Sequence, residues 1–385
     1  MKSPRSQTAG RVAAFTLIEV LVSTAIIALV MLVLVSVVDQ TSRTWRYTTE
    51  KIEKFQEARD GFESMTRKLS QATLNTYWEY LGTVPPSTTL GPRDKNVGTN
   101  LYQNFIPKMY GRMSELRFKS GPMMGNNSIV SGGAANNRPW HGVFFQAPFG
   151  VVENTATDEK SLNNLLNTWG YYLEVGDDDD RPTWIPEAVA RKRWRSRLME
   201  FSQSAESMVM NDTSYSDTTS NWFSLSLNSA NPPKRTVAEN IIALIILPKL
   251  SKQDEDYRAS RAGYVPYLSP NYIYDSTRTV NPPGVPGIDP GGINPKNQLP
   301  PIVHVTMVAI DDRSAQRFVD QNGQALVIGP AQGTRFTATS QNMERPQTGD
   351  LAQYERALIA MGLTYRIFST NVSIRGAKWS RAQTN

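Results

Sequence analysis

The chain begins polar and basic and then loses its charges. Residues 1–14 carry Lys2, Arg5 and Arg11 with no acid, whereas residues 15–38 are apolar apart from a few hydroxyls and one glutamate, Glu19. At about 1.5 Å per residue a helix over 15–38 spans roughly 36 Å, enough to cross a hydrocarbon core about 30 Å thick. From Asp39 to about Thr76 no proline interrupts, and Trp45, Ile52, Phe55, Phe62, Met65, Leu69 and Ala72 recur at helical spacings, with charges of both signs between them. This pattern predicts an amphipathic continuation of the same helix over 39–80. Its apolar stripe is expected to pack on a folded body, with a kink at Gly61.

After Tyr80 the texture changes to short β-rich runs separated by Gly, Pro and Asn clusters. Residues 141–149, 170–175, 237–248, 301–311 and 362–375 are the best strand candidates. Residues 281–301 hold seven prolines and four glycines, which excludes a helix or a central strand and predicts an extended surface loop. The expected fold class is α+β: a long N-terminal transmembrane helix packed on an antiparallel β-sheet body, residues 81–385, with long insertions.

Composition narrows this picture in two places. The 385-residue chain has no cysteine, which removes thiol nucleophiles, cysteine-ligated metals and disulfides together. Its formal charge is +6, and without Lys2, Arg5 and Arg11 the remainder is 6 − 3 = +3, too mild to imply nucleic acid by itself. Basic residues before the apolar run and Asp39 after it place the N-terminus in the cytoplasm and the body outside. A cleaved secretory signal would have an apolar region of about 7–15 residues, shorter than this one. An ordinary signal anchor leaves Glu19 unexplained, because a carboxylate at bilayer depth costs about 2.5–3.5 kcal/mol.

The stretch AAFTLIEVLVSTAIIALVML, residues 13–32, resembles the processing and methylation motif of type IV pilins and type II secretion pseudopilins. The resemblance implies cleavage by a prepilin peptidase between Ala14 and Phe15 and N-methylation of Phe15. Thr16 then becomes the second mature residue and Glu19 the fifth. Glycine usually precedes the cut in that family, and here Ala14 stands there. A cut after Gly10 would leave Glu19 ninth. The resemblance further implies that Glu19 neutralises the terminal amine of a neighbouring subunit in a filament, with Thr16 beside it in assembly. Segments of the body, NQLPPIVHVTMVAIDDRSAQR and AENIIALIILPKL among them, resemble minor pseudopilins of the J class and the C proteins of Verrucomicrobia-type cassettes.

Candidate chemistry elsewhere is sparse. His141 and His304 both fall in apolar strand patterns, and no HExxH, GxSxG or GxxxxGK[ST] motif occurs. A Ser-His-Asp site assembled from distant positions stays open. The run 177–180 is acidic but lacks the EF-hand ligand spacing. Arg191, Lys192, Arg193, Arg195 and Arg197 surround Trp194 and offer a possible nucleic-acid contact, with internal pairing to the nearby acids as the rival. The resulting expectation is a minor pilin or pseudopilin, not an enzyme, with no cofactor and no metal. Its partners are a prepilin peptidase, other pilin-like subunits and the inner membrane, with the head periplasmic. A DNA-binding or adhesive pilus receptor is the alternative, and an anchored hydrolase comes third.

Overall fold

The computed structural model describes residues 16–84, 88–90, 106–125, 127–130, 137–153, 164–176, 184–186, 194–208, 221–262, 266–278, 293–317, 336, 340, 343 and 345–379. Helix α1 (Leu17–Leu69) is 53 residues long, and the chain divides into two compact units after Glu53.

In the first unit the helix exposes every described side chain of its apolar stretch, 17–38. Two hydroxyls within that stretch are satisfied locally: Ser23 donates to the Glu19 carbonyl at 2.7 Å and Thr24 to that of Leu21 at 3.0 Å. Such back-bonding is what an apolar surrounding demands of a polar side chain. By length and composition this is one helix able to cross a membrane. The predicted apolar stripe is unpacked here, with Trp45 75% and Ile52 59% exposed.

In the second unit the stripe meets a core. Ala58, Phe62, Met65, Leu69 and Ala72 are buried, and the Phe62 and Phe368 rings lie 5.9 Å apart. Helix α1 is continuous through Gly61. The glycine allows close approach, because a Cβ there would lie 3.1 Å from Val237 Cγ1 and 3.3 Å from Ala238 Cβ. The helix also ends sooner than residue 80. Ser70 and Gln71 side chains both turn back to the Arg67 carbonyl, the Ser70 carbonyl accepts from Arg375 N, and a strand begins at Tyr77.

The described strands pair antiparallel and form three sheets. β1 (Tyr77–Val84), β2 (Thr88–Leu90) and β3 (Ile106–Met113) make a ribbon in the order β2-β1-β3. β4 (Phe118–Pro122), β5 (His141–Pro148), β6 (Leu166–Gly176), β7 (Arg195–Gln203) and β8 (Lys234–Glu239) follow. With β10 (Tyr274–Asp275) they build the six-stranded sheet β10-β4-β5-β6-β7-β8. β9 (Ile241–Lys249), β11 (Ile302–Ile310) and β12 (Tyr365–Ser373) make the third, ordered β12-β11-β9. The single strand expected over 237–248 is therefore two strands in two sheets. Asn240, at φ 58°, turns the chain between them, a conformation that asparagine tolerates better than most residues. Among the described residues four short helices accompany these sheets: α2 (Asn221–Leu227), α3 (Lys252–Ala259), α4 (Asp312–Arg317) and α5 (Asp350–Ala360).

The six-stranded sheet is covered on both faces. Val143, Phe145, Tyr171, Leu173 and Leu198 join the main core with α1, while Phe144, Tyr172 and Phe201 join a second cluster with Trp222 and Phe223 of α2. Phe144 stacks on Phe223 at 3.9 Å and lies over Gly170, where a Cβ would sit 2.4 Å from its ring. The proline-rich stretch is corrected at its described end. Residues 293–300 are mostly buried, with Ile293 and Leu299 in the main core. Proline-broken backbone reaches the interior because partners come from side chains: Tyr274 OH donates to the Gln298 carbonyl and Trp379 Nε1 to that of Leu299.

Candidate functional site

The head of α1 carries the strongest sequence signal. Ala14 and Phe15, the expected cleavage and methylation positions, lie outside the described residues. Thr16 and Glu19 lie inside them and contact each other: Glu19 Oε2 is 3.4 Å from both Thr16 N and Thr16 Oγ1. Thr16 precedes the first helical residue, and its carbonyl accepts from Glu19 N at 3.0 Å. Thr-x-x-Glu with the glutamate folded back on the residue before the helix is the arrangement of a capping box. The carboxylate thus also meets the partial positive charge of the helix N-terminus. This local role was readable from TLIE, and the question of a charge in lipid obscured it.

The basic run divides. Arg191, Lys192 and Arg193 lie outside the described residues. Arg195 and Arg197 lie in β7, and neither is displayed as a phosphate contact should be. Arg195 Nη1 donates at 2.6 Å to both Asn240 Oδ1 and Asp312 Oδ1, so it fastens the turn between the two sheets. Arg197 is buried opposite Glu174 and Glu239. Trp194 is half-buried. Arg195 is thus engaged inside the fold through Asp312, and Arg197 is buried there. The acidic run 177–180 falls outside the described residues.

His141 is fully buried on β5, where its Nδ1 accepts from Ile246 N at 3.1 Å and its Nε2 is 2.7 Å from the Phe336 carbonyl. That geometry sets the proton on Nε2 and caps the edge of β9 that faces away from β11. Burial pushes the imidazole down to about 4, against the weaker pull of its two backbone hydrogen bonds. It is a structural histidine.

His304 on β11 is half-buried in a polar row. Its Nδ1 is 2.7 Å from Asn371 Oδ1, and its Nε2 is 3.1 Å from both Thr306 Oγ1 and Ser369 Oγ. Hydroxyl, imidazole and amide in that order imitate a nucleophile, base and orienting group. Paired strands, however, turn their N–H groups sideways into the ladder, and β12 is fully paired with β11 here. An oxyanion at Ser369 would meet no preorganised donors from these strands. A cavity of about 340 Å³, lined in part by Lys249, Lys252, Glu255, Ser269 and Arg345, has neither histidine in its wall. Among the described residues no cluster of His, Asp and Glu suits a metal.

No family model, curated protein or solved structure matches the chain. Its residues and their geometry therefore carry the functional reading.

One charged group was invisible as a site in the sequence. Glu200, buried on β7, receives Lys68 Nζ of α1 at 2.8 Å, Arg235 Nε of β8 at 2.6 Å, and the Tyr171 hydroxyl. Burial alone would raise its pKa. The hydrogen bonds from Arg235, Lys68 and Tyr171 outweigh burial and hold the carboxyl below the ordinary range. This cluster ties the second-unit part of α1 to the six-stranded sheet.

Proposed function

We propose that this chain is a minor pilin- or pseudopilin-like subunit, non-enzymatic, anchored by α1 in the inner membrane and assembled through that helix into a type II secretion or type IV pilus-like filament. The observation that carries the reading is the exposed apolar helix 17–38, whose single charge, Glu19, sits at its first turn beside Thr16. A soluble protein gains nothing from such a surface, whereas lipid and neighbouring helices bury it. Cutting before Phe15 would put a new ammonium group within one turn of Glu19. The carboxylate would then have a choice between capping its own helix and pairing with a neighbour's amine.

The large second unit suits a tip or adaptor position, since a body of this size is awkward to repeat along a tight fibre. A DNA-receptor reading loses support from the internal engagement of Arg195 and the burial of Arg197. The test is mass spectrometry of the chain extracted from membranes of cells with and without a prepilin peptidase. The proposal expects an N-terminus at Phe15, N-methylated, only when the peptidase is present. An intact Met1 terminus in both would overturn it.

A further inference from the structure

The cavity of about 340 Å³ beside α3 falls in the size range of small-molecule clefts, and the proposed filament role does not use it. Its wall comes from separate parts of the chain: the end of β9, the first turn of α3, residues 267–269, and residues 340 and 345–346. Backbone hydrogen bonds fasten these pieces. Ser340 N donates to the Pro270 carbonyl at 2.8 Å, Tyr272 N to that of Ser269 at 3.1 Å, and Gly349 N to that of Arg345 at 2.9 Å. Leu247 and Leu268, members of the main core, supply apolar wall. The cavity is therefore formed before any ligand arrives.

Two features of the wall point to an occupant. Ser269 is 1% exposed, and its hydroxyl has no hydrogen-bond partner. A buried hydroxyl left in that state lowers stability, and a ligand in the cavity would supply the missing partner. The second feature is charge. Lys249, Lys252 and Arg345 line the cavity, with Glu255 as the carboxylate among the described residues of the wall. Lys252 also holds Asp256, and Lys249 and Glu255 have interactions of their own. Arg345 is exposed, and its planar fork suits the paired oxygens of a carboxylate or phosphate. A bare inorganic anion would leave the leucines without a contact, and a neutral apolar molecule would leave the guanidinium without one.

We infer that this cavity binds a small organic oxyanion, a carboxylate or phosphate monoester carrying an apolar body. Arg345 and the neighbouring lysines take the anionic group, Ser269 a polar atom, and Leu247 and Leu268 the apolar part. The inference is independent of the filament reading, because none of these residues lies on α1. It is tested by isothermal titration calorimetry of the full-length chain in a non-ionic detergent, with each titration repeated into detergent alone. The probes are benzoate, hexanoate and phenyl phosphate, with benzamide, hexanamide and inorganic phosphate for comparison.

The expected result is millimolar or tighter binding of at least one organic anion, with the neutral amides at least about tenfold weaker. Arg345→Gln should weaken that binding at least about tenfold, the scale of one charge-assisted hydrogen bond, and leave the unfolding midpoint in place because the side chain is exposed. Ser269→Ala should weaken it several-fold while the midpoint stays or rises, since an unsatisfied hydroxyl is removed. The tighter of benzoate and phenyl phosphate tells a carboxylate site from a phosphate site. Four results would each overturn the inference. They are no binding of any organic anion at millimolar concentration, amides or inorganic phosphate bound as tightly as the organic anions, binding that both variants leave intact, and a lowered midpoint in Ser269→Ala, which would mean that the hydroxyl already serves the fold.

Discussion

Replacing Glu200 by alanine should be among the most damaging single changes to the second unit. The carboxylate is 1% exposed, and the side chains around it differ in exposure: Lys68 24%, Arg235 64%. Exposed Arg235 can rehydrate, so its share is about 0–1 kcal/mol. Lys68 loses a charge-assisted hydrogen bond worth about 1.5–3 kcal/mol, and the buried Tyr171 hydroxyl is left seeking an acceptor at about 1–3 kcal/mol. With partial relaxation the expected loss is about 3–5 kcal/mol, the range found when one partner of a buried pair is removed. Urea unfolding of the full chain followed by tryptophan fluorescence would read this, helped by Lys68 Nζ lying 4.1 Å from the Trp169 ring. Lys68→Ala and the double variant complete a cycle, with a coupling of about 1.5–3 kcal/mol expected. A loss below about 1 kcal/mol for Glu200→Ala, or additive single effects, would refute this account. The sign with pH follows from the lowered pKa. The contribution is full above the ordinary glutamate value of about 4.3 and fades as pH falls through the lower folded value.

Three further changes test other parts of the fold. His141, held neutral with its pKa near 4, binds a proton more readily unfolded. Stability should therefore fall by up to roughly 3 kcal/mol between about pH 6.5 and 4, and His141→Gln should flatten that slope in pH-dependent urea unfolding; an unchanged slope would contradict the buried placement. Gly61→Leu should destabilise by about 1–3 kcal/mol through overpacking against Val237. Gly61→Ala should be near neutral, because a helix-propensity gain of about 1 kcal/mol offsets the tight contact; thermal melts in which Gly61→Leu is equally neutral would remove the close-approach argument. Arg195→Ala should cost about 1–3 kcal/mol, chiefly by leaving the buried Asn240 oxygen without its donor while Asp312 keeps Gln316 and water, and leave oligonucleotide binding unaltered, which unfolding and a binding titration check side by side.

The long helix was legible because a proline-free 3.6-residue repeat has few other readings, but periodicity could not say what covers each part of the stripe. Phe62 and Met65 are buried in the second unit, while Trp45 and Ile52 carry the same spacing into water. Strands β5, β11 and β12 showed as apolar or β-branched runs. The break between β8 and β9 did not, because one asparagine in a left-handed turn leaves no mark on the apolar pattern. Strand β7 was read as a basic patch, since its arginines and Glu200 are charged residues turned inward, and their partners lie on α1, α4 and β8. The ribbon was missed for a related reason: its aromatic residues face water, so no core-type alternation announces them. At the helix head the capping box was written plainly in TLIE, yet one glutamate answers to two explanations there.

Glu19→Gln separates those explanations, because glutamine preserves the capping-box acceptor and removes the charge. The decisive measurement is the amount of the variant incorporated into filaments, with its membrane insertion and its Phe15 terminus verified alongside. If Glu19 pairs with a neighbouring subunit's amine, the inserted and processed variant should be absent from the fibre. Incorporation at the parent level would mean that the carboxylate only caps its own helix, and the filament role assigned to it would be wrong.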